Sequence, residues 1–144
     1  MEESETAQAS VSESHPLSDR SAYVPVGRPF LSGGHLLGRF EGQILANELA
    51  ASRLADWVST SHMPEGAVLV QVHSREGGRV PGPVYGMVKR APGYDPEGND
   101  WEWLVLGADG RPRTGEALRA CARCHAEAPA DGVFPVPKEA RPER

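Results

Sequence analysis

Apolar and polar side chains alternate with a period of two through the middle of the chain, the mark of half-buried strands. The pattern predicts strands over residues 39–47 (RFEGQILAN), 67–74 (AVLVQVHS), 83–91 (PVYGMVKRA) and 101–107 (WEWLVLG). Clusters of Pro and Gly separate them: MPEG, REGGRVPGP, APGYDPEGND and ADGRP. Two stretches change to a helical period. Residues 48–57 (ELAASRLADW) are alanine-rich with apolar residues three and four apart. A second helix is expected to start near Thr114 as N-cap and to run through EALRACARCHAEA. The expected fold is α+β: a small antiparallel sheet of four to five strands packed with helices, with a C-terminal helix bearing both cysteines.

The flanks lack this patterning. The first twenty residues hold five Ser and four Glu and almost nothing large and apolar, so residues 1–22 are expected to form a disordered leader or tether. Residues 23–137 form the expected single domain, followed by a polar tail over 138–144. The chain of 144 residues carries a net charge of −5 with its basic residues scattered. That distribution argues against a nucleic-acid surface and a polybasic membrane anchor. No apolar run approaches the roughly 20 residues of a membrane span.

The chemistry is concentrated in CARCH. Cys121 and Cys124 are the two cysteines of the chain, and His125 follows directly. Cys-x-x-Cys-His is the attachment signature of c-type haem. On a helix the three residues stand at i, i+3 and i+4 and so share one face. Two thiols can then bond the two vinyl groups of one porphyrin edge while the imidazole reaches the iron as proximal ligand. Cys-x-x-Cys also serves as half a zinc site or as a thiol–disulfide motif. A structural zinc site needs four ligands, and no second Cys/His pair has ligand spacing. The redox motif prefers a helix N-terminus, whereas these cysteines are expected mid-helix. Haem c is the cofactor the spacing favours. Such haem is attached outside the bacterial cytoplasm, so a periplasmic or otherwise extracytoplasmic setting is expected, with the export signal removed.

The order of elements, strands first and CARCH last, together with MPEGAVLVQ, GPVYGMVKRAPGYDPEGNDWEWLVL and the closing Asp131, Val133 and Phe134, resembles the cytochrome P-460 and cytochrome c-prime-beta family. The resemblance spans about residues 39–134. It implies a five-stranded antiparallel sheet on helices, a homodimer, and a periplasmic role with nitrogen oxides, hydroxylamine or respiratory electrons. Members that oxidise hydroxylamine carry a lysine cross-linked to the porphyrin. The resemblance puts Gln71 at that position, and an amide is not a nucleophile, so no cross-link is expected. Strand parity places Leu69, Gln71 and His73 on one face, making Leu69 and Gln71 candidates to contact the haem.

On the far side of the iron the resemblance puts Met87 in about the place of a carboxylate, with Tyr85 as rival. A thioether suits iron and gives a six-coordinate electron-transfer haem; a buried Met is also an ordinary gap-filler. His35, His62 and His73 are lesser candidates for the sixth position, lone histidines in polar turns being commonly solvated. The expected function is one-electron transfer with His125 proximal and Met87 distal, exchanging electrons with a redox partner protein. The alternatives are a five-coordinate binder of a small gas such as nitric oxide, then a hydroxylamine-oxidising enzyme. Lys89, Arg90 and Arg119 are candidate partners of the haem propionates. APGYDPEGND is expected to be a structured turn, not a calcium loop.

Overall fold

The computed structural model describes residues 15–35 and 38–141. Five strands form one antiparallel sheet in chain order: β1 (Val24–Leu31), β2 (Glu41–Ala46), β3 (Val68–Arg75), β4 (Val80–Lys89) and β5 (Trp101–Leu106). Helix α1 (Glu48–Leu54) follows β2, and helix α2 (Glu116–His125) follows β5. The α+β class and the five-stranded antiparallel sheet are as expected. Among the described residues, no helix is long and apolar enough to cross a membrane.

The register gives the sheet two distinct faces. Ala46 pairs with Leu69, which pairs with Met87, which pairs with Trp103. Ile44, Gln71, Tyr85 and Val105 make the next row. Because side chains alternate across a strand, these rows share one face. Leu45, Val68, Val70, Val84, Val88 and Leu106 take the other.

Asn47 joins α1 to the sheet. Its side-chain oxygen accepts from the Ala50 N–H at 3.1 Å, capping the helix, and from the Val68 N–H at 3.0 Å; its amide donates to the Gly66 carbonyl at 2.8 Å. Ala50 and Leu54 then bury against the first face with Ala46, Met63, Leu69, Met87, Trp101 and Val133. This helix ends three residues before the sequence pattern suggests.

Other segments also differ from expectation. Strand β1 lies in a stretch with no predicted strand, where Pro25, Gly27 and Pro29 interrupt any alternation. It is an edge strand, and its register slips between Val26 and Phe30, which accommodates Pro29 without breaking a central ladder. Gly27 has φ 73°, and a Cβ there would meet the Ala140 carbonyl at 2.3 Å. Leu17, expected in the leader, is fully buried in the apolar cluster on the second face, against Gly86. Ala140, expected in the tail, is fully buried in a short turn (Lys138–Ala140) beside β1. A single apolar residue in a polar segment carries no periodicity, so neither was legible. The expectation for residues 1–14 lies outside the described residues.

The N-cap of α2 is Gly115 at φ 64°, with no side-chain cap bond, rather than Thr114. The expected turn at 91–100 forms: Asp100 Oδ1 accepts from the N–H groups of Gly93 (3.1 Å) and Asp95 (2.9 Å).

Candidate haem site

Helix α2 has no fully buried residue, although its small side chains fall on one side. Ala117, Ala120, Cys121 and Cys124 recur at helical spacing and line, with His125, one wall of a cavity of about 970 Å3. The opposite wall is the first face of the sheet: Ile44, Leu69, Gln71, Tyr85, Met87, Trp103 and Val105. Phe30, Phe40, Phe134 and Val136 also line it. The cavity is at the upper end of the range for small-molecule sites, about 300–1,000 Å3, and its lining is mainly apolar. Leu69, Gln71, Met87, Cys121, Cys124 and His125 therefore line one space, with Tyr85 and His35, whereas the other candidates from the sequence, His62, His73, Lys89, Arg90 and Arg119, do not.

His125 is held on three sides. Its ring lies 4.7 Å from Trp103 and 5.0 Å from Phe134 between centroids. Its Nδ1 is 2.7 Å from the Gly132 carbonyl oxygen. A carbonyl only accepts, so Nδ1 carries the proton and Nε2 keeps its lone pair. A backbone carbonyl on the remote nitrogen is the usual support of a metal-binding imidazole. Burial pushes the His125 pKa below its usual value, opposed by the Gly132 bond, and so favours the neutral, ligating form.

The Gly132 carbonyl is positioned by Asp131, whose own φ is 53°. The Asp131 carboxylate accepts from Lys89 Nζ at 2.7 and 2.9 Å and from the Met63 N–H at 2.8 Å. Its backbone carbonyl accepts from the Trp101 indole at 2.7 Å. Lys89 and Asp131 are 12% and 2% exposed, so this is a buried ion pair. Lys89 was a candidate for a propionate; it is engaged here instead. Arg90 pairs with Glu102 and Arg119 with Glu116. Arg113 is the basic side chain that lines the cavity. It lies 3.3 Å from Asp109, and nothing in the strand pattern singled it out.

Both thiols are free. Burial and the neighbouring Cys124 raise the Cys121 pKa, and its Sγ lies 3.4 Å from the Ala117 carbonyl. A thiol–disulfide motif needs the opposite, a thiolate stabilised at a helix N-terminus. Cys121 is instead the sixth residue of α2. Among the described residues no group of three or more His, Cys, Asp or Glu side chains is placed to hold a metal ion, whereas structural zinc takes four ligands. Two adjacent thiols, one neutral imidazole with a free Nε2 and an apolar space beside them match the donor set of haem c.

Gln71 lines the cavity together with Leu69, as their shared parity requires. Its amide nitrogen donates to Ser32 Oγ at 2.7 Å and to His73 Nε2 at 3.1 Å, while His73 Nδ1 donates to the Pro83 carbonyl at 2.9 Å. Gly42, which pairs with His73, leaves room: a Cβ there would meet the Gln71 amide nitrogen at 2.8 Å. His73 is buried, not solvated as its polar context suggested. His35 joins the group, stacked on Tyr85 at 4.7 Å and edge-on to His73 at 5.4 Å. Burial, reinforced by His73 and His125, lowers the His35 pKa to about 4. His62 is not among the cavity residues; its carbonyl accepts from Arg53. Met87 lines the cavity but is 6% exposed and packed among apolar side chains.

His35 follows a Gly-Gly turn, with no periodicity to place it, and only its residue type could have signalled a role. The chain matches no protein-family model and no curated protein.

Proposed function

We propose that this chain is a c-type haem protein that carries single electrons. The observation that carries the reading is the placement of Cys121, Cys124 and His125 on the inner wall of a large apolar cavity, with His125 Nε2 left free by the Gly132 bond. Attachment needs no redox partner. Each thiol of Cys121 and Cys124 would add across a vinyl group, the S–H bond breaking as sulfur bonds one carbon and the proton goes to the other, with no net oxidation or reduction. When bound, the haem supplies a one-electron iron couple. The chain's residues would do the rest: His125 would hold the iron, Trp103 and Phe134 pack its imidazole, and the largely apolar walls would face the porphyrin. Arg113, paired with Asp109 in the structure, would offer a cation to a propionate.

The resemblance to the cytochrome P-460 and c-prime-beta family supports the same reading and adds an extracytoplasmic setting, a redox partner protein and a homodimer. Gln71 argues against the hydroxylamine-oxidising branch, since its amide is already committed to Ser32 and His73. A five-coordinate gas binder is the second reading, favoured by the apolar lining.

The test is acid–acetone extraction of protein produced in an export-competent host with full haem maturation. Haem is expected to stay with the polypeptide, and to be released when Cys121 and Cys124 are both changed to Ala. Colourless protein from that host overturns the reading.

A further inference from the structure

We propose that His35 is the second axial donor to the iron, so that the protein holds its haem between two imidazoles. The inference rests on the haem reading above, but on a different set of residues. His35 lies in the turn after β1, and its ring centre is 6.5 Å from that of His125, with the planes tilted by 30°. Both rings line the same cavity. An imidazole nitrogen bonds a transition metal at about 2.0–2.1 Å and lies roughly 1.1–1.2 Å from its ring centre, so two imidazoles on opposite sides of one ion have centres about 6.2–6.6 Å apart. The observed separation falls in that interval.

Each ring has a polar partner at Nδ1, a carbonyl that only accepts for His125 and a hydroxyl that can accept or donate for His35. His125 is bound at Nδ1 by the Gly132 carbonyl, and His35 Nδ1 lies 3.3 Å from Ser32 Oγ. With Nδ1–H donating to that hydroxyl, His35 keeps a lone pair on Nε2, the tautomer a metal needs. Ser32 is itself held by the Gln71 amide, and Gln71 by His73 and, through it, the Pro83 carbonyl. Tyr85, stacked on the ring with an angle of 18° between planes, stops it from turning away. This chain of contacts gives Gln71 a function as a positioning residue: it sets Ser32, which sets His35.

Met87 has no comparable arrangement. Its neighbours are apolar, and it is packed among Leu69, Leu54 and Met63. A ligand set of two imidazoles excludes small gases from the iron until one of them leaves, which suits electron transfer.

Electron paramagnetic resonance and near-infrared absorption of the ferric holoprotein test the assignment, with covalent haem measured on the same sample. A low-spin signal of two imidazole ligands, with no sulfur-to-iron charge-transfer band, is expected. His35→Ala should turn the iron high-spin and open it to carbon monoxide, and added imidazole should restore the low-spin signal. Covalently bound haem that is high-spin in the unaltered protein, or that shows the sulfur band, overturns the His35 assignment and leaves the haem reading standing. Absence of covalent haem overturns both. If His35→Ala does not fold, the spectrum of the unaltered protein decides by itself.

Discussion

Asp131→Asn removes one charge from the buried pair that supports the His125 loop. Three hydrogen bonds converge on the Asp131 carboxylate, two from Lys89 and one from the Met63 N–H. The amide keeps an oxygen for Met63 but leaves the Lys89 ammonium, 12% exposed, without its counter-charge. Removing one partner of a buried pair costs about 3–5 kcal/mol, most of it the desolvation of the charge left behind. For a chain of this size that is a fall of roughly 10–20 °C in Tm. With a urea m-value near 2 kcal/mol/M it is about 1.5–2.5 M in midpoint, with the slope unchanged. The double variant Lys89→Met, Asp131→Asn removes both charges and should recover more than half of the loss, a positive coupling that a double-mutant cycle reads directly. Urea unfolding of the four proteins is the assay. A loss below about 1 kcal/mol for Asp131→Asn, or additive effects of the two changes, would refute the claim that the pair is buried and coupled.

Leu17→Ala should cost about 2–5 kcal/mol in the same assay, because Leu17 is fully buried on the second sheet face; no loss would return residue 17 to the leader. In the haem-free chain, stability should fall as the pH drops from about 6.5 towards about 4. The unfolded His35 takes up a proton below about 6.5 while the folded one resists until about 4, so the unfolded state binds more protons in that window. His35→Phe should reduce this slope in urea titrations, leaving the part carried by the buried His73 and His125, and an unchanged slope would show that His35 is solvated. Arg113→Gln should lower the reduction potential by removing a cation from the cavity wall, as read by spectroelectrochemistry; an unchanged potential would place Arg113 away from the haem. Peptide mapping should find haem only on the peptide containing Cys121 and Cys124, and an adduct on a lysine peptide would show that Gln71 does not occupy the cross-linking position.

Strands β2 to β5 were legible because burial on one face gives a period of two and burial on both gives a short apolar run, as at Val68–Val70 of β3. The family resemblance turned Gln71 toward the haem and parity put Leu69 on the same face; both line the cavity. Strand β1 was hidden because its prolines and its register slip, tolerable at an edge, erase the alternation. Ser32 was out of reach, and His35 could be named only by residue type as a lesser candidate, for a different reason. They lie in a turn, where position depends on tertiary contacts, and they join Gln71 and His73 through hydrogen bonds between residues far apart in the chain. Arg113 likewise enters the cavity from the turn after β5. Cys121, Cys124 and His125 were fully legible, since spacing on a helix settles their common face. The Gly132 carbonyl that fixes the His125 tautomer was not, because a backbone acceptor has no signature in side-chain pattern.

The central claim, covalent haem on Cys121 and Cys124, is tested most directly by the intact mass of the denatured protein from a host that matures c-type haem. A mass greater than that of the polypeptide by one haem is expected, and a single-cysteine variant at either position should keep at most a partial adduct. A mass equal to the bare polypeptide from that host would contradict the claim.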